Sequence, residues 1–201
     1  MLFRSPDTRI AIVTGYKGQS VDDVLNEYKY DRFYNPLFDI TNSIVSLWFA
    51  SSFIDEKDDL IVMNGDVFFD KKVLDVIYDY NNEFVLLADS SRIKEADYRF
   101  NWSNDGLLKK YGKELADDET TGEYVGIAKI SKSVLPKFKA RLMEMINTQQ
   151  HGKWWEDVVY SFVKDNTKIN IKDISGLFWA EVDYVEDYER ILEEVAKKKG
   201  L

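Results

Sequence analysis

Short apolar β-branched runs alternate with segments of helical spacing along most of the chain, and this alternation limits the possible folds more than any other feature. The clearest strand-like runs are Arg9 to Gly15, Asp59 to Met63 and Glu83 to Ala88. Between them, Asn42 to Ile54 and Lys72 to Tyr80 repeat apolar residues at helical spacing, and Thr41 or Asn42 is the predicted N-cap of the first of these helices. Strands that alternate with helices form βαβ units, so the pattern predicts an α/β fold with a mainly parallel sheet and helices on both faces.

The pattern changes after Ala88, where two short strand-like runs flank Asn104-Asp105-Gly106 and predict a β-hairpin. Neither repeats nor low-complexity linkers interrupt the chain, so a single domain over residues 1–201 is the simplest prediction. The remaining predicted segments are helices at Val21–Tyr28, Ser133–Asn147, Trp154–Val163 and Val185–Lys198, and strands at Phe33–Pro36, Tyr98–Trp102, Leu107–Tyr111, Glu123–Ile130, Lys168–Ile174 and Phe178–Val182.

Composition excludes several classes of protein. The chain contains no cysteine, which excludes disulfides and Cys-ligated zinc. A net charge of −9 disfavours a nucleic-acid partner, and an acidic protein that handles phosphates would need a cation such as Mg²⁺. Every apolar run is shorter than the roughly 18–20 residues that span a bilayer, which disfavours a membrane partner. Met1 to Pro6 is too short for a signal peptide, so we expect a cytoplasmic protein.

Two aspartates follow predicted strands directly. Asp66 closes the turn Asn64-Gly65-Asp66, and Asp183 ends the segment Trp179-Ala180-Glu181-Val182-Asp183. Ligands of open α/β sheets bind beyond the carboxyl ends of the strands, so both aspartates lie where a metal or a phosphate would bind. Strand alternation predicts that Glu181 and Asp183 share one face. The alternative for each aspartate is a structural one, in which it caps a turn or the next helix.

Five motifs occur in an order typical of one superfamily. Together they resemble the sugar-1-phosphate and phosphocholine nucleotidyltransferases, and most closely the bacterial phosphocholine cytidylyltransferases. The resemblance runs from about Ile10 to about Glu194. Its motifs are Asn35-Pro36 with Thr41-Asn42 and Ser46-Leu47, then Asn64-Gly65-Asp66, Gly122 to Ile127, Trp155-Glu156-Asp157, and Trp179 to Asp183.

The resemblance implies a Rossmann-like fold of the nucleotide-diphospho-sugar transferase type, with an acceptor-binding insertion at about 97–165. It also implies Mg²⁺-dependent transfer of a nucleotide, with CTP and a phosphorylated alcohol such as phosphocholine as substrates. Asp66 and Asp183 would hold the Mg²⁺, and Lys113 would contact the acceptor phosphate, although Lys109 and Lys110 lie nearby and a solvated lysine is the ordinary alternative. The implied substrate-binding residues are Asn64, Glu123, Tyr124, Trp155, Glu156, Trp179 and Glu181.

Structural alternatives stay open for these residues. Glu123 could face water from an edge strand, and Glu156 and Asp157 could simply stabilise the start of a helix through its dipole. Aromatic rings and carboxylates suit a quaternary ammonium, and the rings in question are Trp102, Tyr124, Trp154, Trp155 and Trp179. Most such rings pack into protein cores. Phosphocholine is the first candidate acceptor, and a sugar 1-phosphate is the second.

The chain departs from the superfamily at its beginning. Superfamily members open with a strand and a glycine-rich loop that binds the triphosphate, but no G-x-G run precedes Ile10 to Gly15. We therefore expect strand edges without a partner, weak or absent transferase activity, and a homodimer as one way to cover the vacant strand position. A non-catalytic binding domain of the same fold and a metal-dependent glycosyltransferase are the competing hypotheses.

Overall fold

The computed structural model describes residues 8–199, so Met1 to Pro6, used above to argue against a signal peptide, lie outside it. The described strands are β1 (Ala11–Thr14), β2 (Asp31–Tyr34), β3 (Leu60–Met63), β4 (Val67–Phe69), β5 (Phe84–Asp89), β6 (Arg99–Trp102), β7 (Leu108–Gly112), β8 (Gly122–Ile130), β9 (Ile169–Asp173) and β10 (Trp179–Glu181). The α-helices are α1 (Gly18–Val24), α2 (Ser43–Phe49), α3 (Lys71–Tyr78), α4 (Leu135–Asn147), α5 (Glu156–Ser161) and α6 (Val185–Lys199). Across the described residues, none of these helices combines the length and apolarity needed to cross a membrane.

The chain divides into two compact units. Unit 1 comprises residues 1–58 and 132–167, and unit 2 comprises residues 59–131 and 168–201. The predicted acceptor-binding insertion at about 97–165 is shared between them, with residues 97–131 in unit 2 and residues 132–165 in unit 1.

Unit 1 contains a parallel pair, β1 and β2, together with α1, α2, α4 and α5. The side chain of Asn42 caps α2 by accepting a hydrogen bond from the Ser43 amide at 2.7 Å, as the sequence predicts. Asn35, 2% exposed, donates through Nδ2 to Ser46 Oγ at 3.1 Å and Thr41 Oγ1 at 3.3 Å. The first resemblance motif is therefore a hydrogen-bonded cluster that fixes the approach of the chain to α2.

The core of unit 1 lies between its helices. α2 buries Ile44, Val45 and Leu47, and the apolar faces of α4 and α5 are also buried. α1 spans Gly18–Val24, earlier than the predicted Val21–Tyr28. The helix ends at Val24 because the chain then turns back, and Tyr30 and Arg32 bind the buried Asp22 carboxylate as β2 begins.

Unit 2 contains a six-stranded sheet with the path β7-β6-β8-β5-β9, and β3 also pairs with β8. The α/β class is confirmed, but the predicted mainly parallel pairing is wrong for this sheet. Only β5 and β9 pair in parallel, because β8 follows the β6–β7 hairpin and enters antiparallel between β3 and β5. β5 and β8 are buried along their whole length and form the centre of the core.

A β-bulge interrupts the pairing of β8 with β5. The register shifts between Leu86 and Ala88, which leaves two extra residues in β8 around Gly126. Gly126 has φ of +76°, a conformation that glycine adopts without steric cost. A Cβ at this position would lie 3.0 Å from both Asn64 Nδ2 and Val67 Cγ2. The bulge therefore lets the turn after β3 approach β8 closely.

A second, smaller sheet in unit 2 pairs β4 with β10 in antiparallel register. β4 was not predicted from sequence, because a run of three apolar residues beside a glycine turn is too short to show strand periodicity. The register sets Val67 opposite Glu181, and the Val182 amide bonds to the Asp66 carbonyl at 3.0 Å. This pairing joins two segments that lie far apart in the chain.

Several strands have an edge without a strand partner in residues 8–199. In unit 1, β1 and β2 pair only with each other, and in unit 2, β3 pairs only with β8. Strand edges without a partner were expected from the sequence.

Candidate active site

The β4–β10 pairing brings the two predicted metal-binding aspartates to one end of a small sheet. Asp66 directly precedes β4, and one residue, Val182, separates Asp183 from the end of β10. Because Val67 lies opposite Glu181, Asp66 and Asp183 both lie just beyond the same end of the ladder. The strand-end positions predicted from sequence therefore meet in unit 2.

Both aspartate side chains are exposed, and within residues 8–199 neither carboxylate accepts a hydrogen bond or forms an ion pair. The helix-capping alternative for Asp183 does not hold. The carboxylate at the start of α6 that accepts backbone N–H groups is Asp187, from the amides of Asp183 at 3.3 Å and Tyr184 at 3.1 Å. Asp183 is thus available to an external partner.

Glu181 lies between these charges and is partly buried. Burial, together with the negative charges of Asp66, Asp183 and Glu123, raises the pKa of the Glu181 carboxyl to about 7, while a hydrogen bond from the Asn64 side chain opposes the shift. The Asn64 backbone is fixed in turn, since its amide bonds to the Gly126 carbonyl at 2.9 Å. A cation at this end of the sheet would relieve the repulsion among the carboxylates.

Glu123 does not face water, contrary to the alternative considered from sequence. Its side chain is 3% exposed, and its two oxygens accept hydrogen bonds from Arg92 Nε and from the Asp97 amide, the latter at 2.7 Å. Burial raises the pKa of the Glu123 carboxyl, while the Asp97 amide and Arg92 act in the opposite direction. With Arg92 in direct contact, we assign an ionised pair.

Trp179 is 4% exposed and is held by a buried carboxylate. Its Nε1 donates to Asp89 Oδ2 at 2.8 Å, and the other oxygen of Asp89 accepts from the Ser91 amide and hydroxyl at 2.9 and 2.6 Å. The Arg92 guanidinium lies over the indole, 5.0 Å from the ring centroid. Asp89, Arg92, Glu123 and Trp179 therefore form one connected cluster in unit 2.

No family model matches the chain. A CTP:phosphoglutamine cytidylyltransferase of Campylobacter jejuni is 24% identical over 207 residues, covering 92% of this chain and 81% of the relative.

Solved structures give the same fold. The CTP:phosphocholine cytidylyltransferase of Streptococcus pneumoniae has a TM-score of 0.72 at 15% identity, covering 93% of this chain and 78% of that one. The inositol-1-phosphate CTP transferase of T. maritima has a TM-score of 0.73 at 15% identity, covering 94% and 76%. The relative and both solved structures are nucleotidyltransferases, and the chain shares the fold of the two solved structures.

Lys113 and Tyr124 are two further residues of unit 2 that the resemblance implies. Lys113 follows β7 and forms an exposed ion pair with Asp97 at 2.7 Å. Tyr124 is 5% exposed, and its ring stacks on Phe100 with centroids 5.0 Å apart. Lys113 is accessible to a ligand, whereas Tyr124 belongs to the aromatic core of unit 2.

Trp155 and Glu156 belong to unit 1, whereas the site residues described so far belong to unit 2. They are 3% and 7% exposed, and the Trp155 amide donates to Ser43 Oγ at 2.9 Å. Glu156 occupies the first turn of α5, as the helix-start alternative predicts. The contacts within unit 1 therefore give each residue a structural explanation.

The donor chemistry at Asp66 and Asp183 fits a magnesium ion. Within residues 8–199, no three His, Cys, Asp or Glu side chains are arranged to hold a metal ion. Mg²⁺ commonly takes one or two protein carboxylates and completes its coordination with water and substrate phosphates. Two exposed carboxylates without protein partners meet that requirement.

Sequence reasoning missed three parts of this region: Asp89, Arg92 and the role of Gly126. An isolated glycine within a strand pattern signals a bulge, so Gly126 could have been found. Asp89 and Arg92 lie in the segment Asp89-Ser90-Ser91-Arg92, and nothing local in that segment predicts their partners Trp179 and Glu123.

Proposed function

We propose that this chain transfers a cytidylyl group from CTP to a small phosphorylated acceptor and releases pyrophosphate. An oxygen of the acceptor phosphate attacks the α-phosphorus of CTP. The bond from that phosphorus to the bridging oxygen breaks, and pyrophosphate leaves with the electron pair. Protein groups need only position the substrates and offset charge, because no covalent enzyme intermediate forms.

The observation that carries this proposal is the meeting of Asp66 and Asp183 beyond the β4–β10 ladder, both exposed and without protein partners in the described residues. Their carboxylates are therefore free to bind a cation, and the negative charges of both act on the partly buried Glu181 beside them. A cytidylyltransferase relative and cytidylyltransferases of the same fold support the reaction class.

Asp66 and Asp183 would hold Mg²⁺, which when bound supplies charge neutralisation on the phosphates. Asn64 and Glu181 support this pair from one side: Asn64 donates to Glu181, and Glu181 lies near both aspartates. We assign them to positioning of the bound nucleotide and its cation.

Lys113 would contact the acceptor phosphate. Its ion pair with Asp97 is exposed, with side-chain exposures of 46% and 61%. Exposed pairs of this kind contribute about 0–1 kcal/mol, so Lys113 can exchange Asp97 for a phosphate at little cost.

The acceptor is the least determined substrate. The relative and the two solved structures are named for phosphoglutamine, phosphocholine and inositol 1-phosphate, so one fold serves different acceptors. We retain phosphocholine as a candidate, with sugar 1-phosphates second. In unit 2, Glu123 and Trp179 are the predicted acceptor residues, and in unit 1 Trp155 and Glu156 remain candidates.

Pyrophosphate release tests the proposal. The chain is incubated with CTP, Mg²⁺ and each of four acceptors: phosphocholine, phosphoglutamine, inositol 1-phosphate and glucose 1-phosphate. Asp66→Asn and Asp183→Asn should each lower the rate by about a hundredfold or more, the scale of losing one group that stabilises transition-state charge.

Asp118→Asn is the matched control, because Asp118 is an exposed carboxylate of unit 2 with no hydrogen bond or ion pair in the described residues. Its activity should equal that of the unchanged chain. Unaltered rates in the Asp66 and Asp183 variants would refute the proposal. CTP binding without turnover for any acceptor would favour the non-catalytic binding domain instead.

A further inference from the structure

Arg92 follows β5 and is clamped between two buried side chains. Its Nε donates to Glu123, and its guanidinium stacks over Trp179 with 5.0 Å between the guanidinium carbon and the ring centroid. Glu123 and Trp179 are 3% and 4% exposed, whereas the Arg92 side chain is 26% exposed. Arg92 is thus anchored on its buried side and still reached by solvent.

The partners of Arg92 are themselves fixed. Trp179 is bound by Asp89, and Asp89 also accepts two hydrogen bonds from Ser91. The second oxygen of Glu123 accepts from the Asp97 amide. Because the guanidinium is held in place before any ligand arrives, binding to it would lose little side-chain entropy.

Most of the hydrogen-bonding capacity of Arg92 is unused. A guanidinium has five N–H donors, and in the described structure only Nε donates to a protein acceptor. An arginine that served only to neutralise Glu123 would ordinarily bind it through two parallel N–H groups. The two terminal amino groups therefore remain for a ligand, and their planar fork matches a carboxylate or a phosphate. Because Lys113 is assigned to the acceptor phosphate, a carboxylate is the anion left for Arg92.

Arg92 also lies beside the proposed reaction site, because it stacks on Trp179, and Trp179 belongs to β10, the strand that leads to Asp183. We propose that the terminal amino groups of Arg92 bind a carboxylate of the acceptor, so that a phosphorylated amino acid is preferred over the candidates phosphocholine and sugar 1-phosphate. The inference rests on the proposed function, since it assigns the acceptor of that same site.

The test compares two acceptors that differ only in the carboxylate: phosphoglutamine and its analogue without the α-carboxylate. Their affinities are measured by calorimetry with Mg²⁺ and a non-hydrolysable CTP analogue present. The unchanged chain should bind phosphoglutamine about ten- to a hundredfold more tightly, as expected for hydrogen bonds between charged groups. Arg92→Gln should abolish this preference and leave the affinity for the analogue unchanged.

Arg92→Gln leaves Glu123 buried without its cation, which destabilises the fold. The double variant Arg92→Gln/Glu123→Gln restores the charge balance and should show the same loss of preference with a melting temperature near that of the unchanged chain. Arg141→Gln is the control, because Arg141 of unit 1 also pairs with a carboxylate, Asp165, and stacks on a ring, Phe162. It should keep the full preference.

Equal affinity of the unchanged chain for the two acceptors, or binding of neither, would overturn the proposal. So would an equal loss of affinity for both acceptors in Arg92→Gln, because Arg92 would then hold the acceptor phosphate. These binding results do not depend on turnover. The proposed reaction fails separately, if the Asp66 and Asp183 variants still release pyrophosphate at the full rate.

Discussion

Two pairs of strands show how differently the sheets of this protein are covered. β5 and β8 of unit 2 are buried at every residue, whereas β1 of unit 1 is only partly buried and β2 is mostly exposed. The segments around β1 and β2 also expose large apolar side chains, among them Tyr16, Val24, Tyr34, Phe38 and Ile40.

The difference follows from the number of strand neighbours. β5 lies between β8 and β9, and β8 has β5 on one edge and β3 and β6 on the other, but β1 has only β2. A strand with partners on both edges exposes less of its backbone to water and opens less readily. The comparison predicts that the unit with the proposed site resists unfolding more strongly than the β1–β2 pair.

The largest expected effect comes from the same substitution in both regions. Val85→Ala in β5, where Val85 is 0% exposed, should lower the free energy of unfolding by about 2–3 kcal/mol from lost burial and the cavity left behind. Val13→Ala in the half-buried β1 should cost about 1 kcal/mol or less. Urea unfolding measures both, and equal losses would remove the distinction between the regions.

The second prediction concerns the bulge in β8. Gly126→Ala should destabilise the chain by about 2 kcal/mol, because it adds a Cβ at positive φ and 3.0 Å from Asn64 and Val67. Gly176→Ala is the matched control, since Gly176 has φ of +87° but no atom within 4 Å of the added Cβ. It should cost about 1 kcal/mol, the conformational part alone.

Thermal melts would separate these two costs. A loss for Gly176→Ala as large as that for Gly126→Ala would show that the close approach of Asn64 to β8 contributes nothing.

The third prediction follows from the pKa of Glu181, raised to about 7 by burial and by Asp66, Asp183 and Glu123. A carboxyl with a raised pKa favours the folded state when protonated, so this contribution is present at low pH and is lost as the pH rises from the unfolded value of 4.5 through about 7. Glu181→Gln should therefore raise the melting temperature at pH 8 and leave it nearly unchanged at pH 4.

Glu186→Gln, an exposed glutamate of α6, provides the comparison and should be nearly neutral at both pH values. If Glu181→Gln has the same effect at pH 4 and pH 8, Glu181 titrates in its ordinary range.

The smallest expected effect belongs to the exposed ion pairs of unit 1. Arg9 bridges Asp31 at 3.6 Å and Asp55 at 3.0 Å, with all three side chains at least 37% exposed. Arg9→Gln should cost less than about 1 kcal/mol in urea unfolding, and less still in 1 M salt. A larger loss would mean that the β1–β2 pair depends on charge to make up for its sparse burial.

Most elements could be predicted from local sequence, because each carries its own signal. The hairpin at Asp105-Gly106 is present, with φ of +75° at Gly106, and the Asn42 cap of α2 was predicted from residue type alone. Asp66 and Asp183 were predicted at strand ends, where the structure has them. Their local surroundings contained the information.

The pairing between distant segments could not be predicted in the same way. Nothing in Val67-Phe68-Phe69 indicates that it pairs with Trp179 to Glu181, and nothing in β8 indicates that it enters antiparallel between β3 and β5. Glu123 shows the consequence: it is buried against Arg92 of a distant segment, so the sequence alone could not decide whether its side chain faces water. Register and partner choice arise from long-range packing.

The β4–β10 ladder sets the time at which the chain can acquire its site during synthesis. β4 emerges from the ribosome early, and β10 emerges only after β5 to β9 have been made. At roughly 5–20 residues per second, this interval lasts on the order of ten seconds. Throughout it, Asp66 has no Asp183 beside it. A nascent chain that has already folded its central strands would still lack the proposed magnesium site.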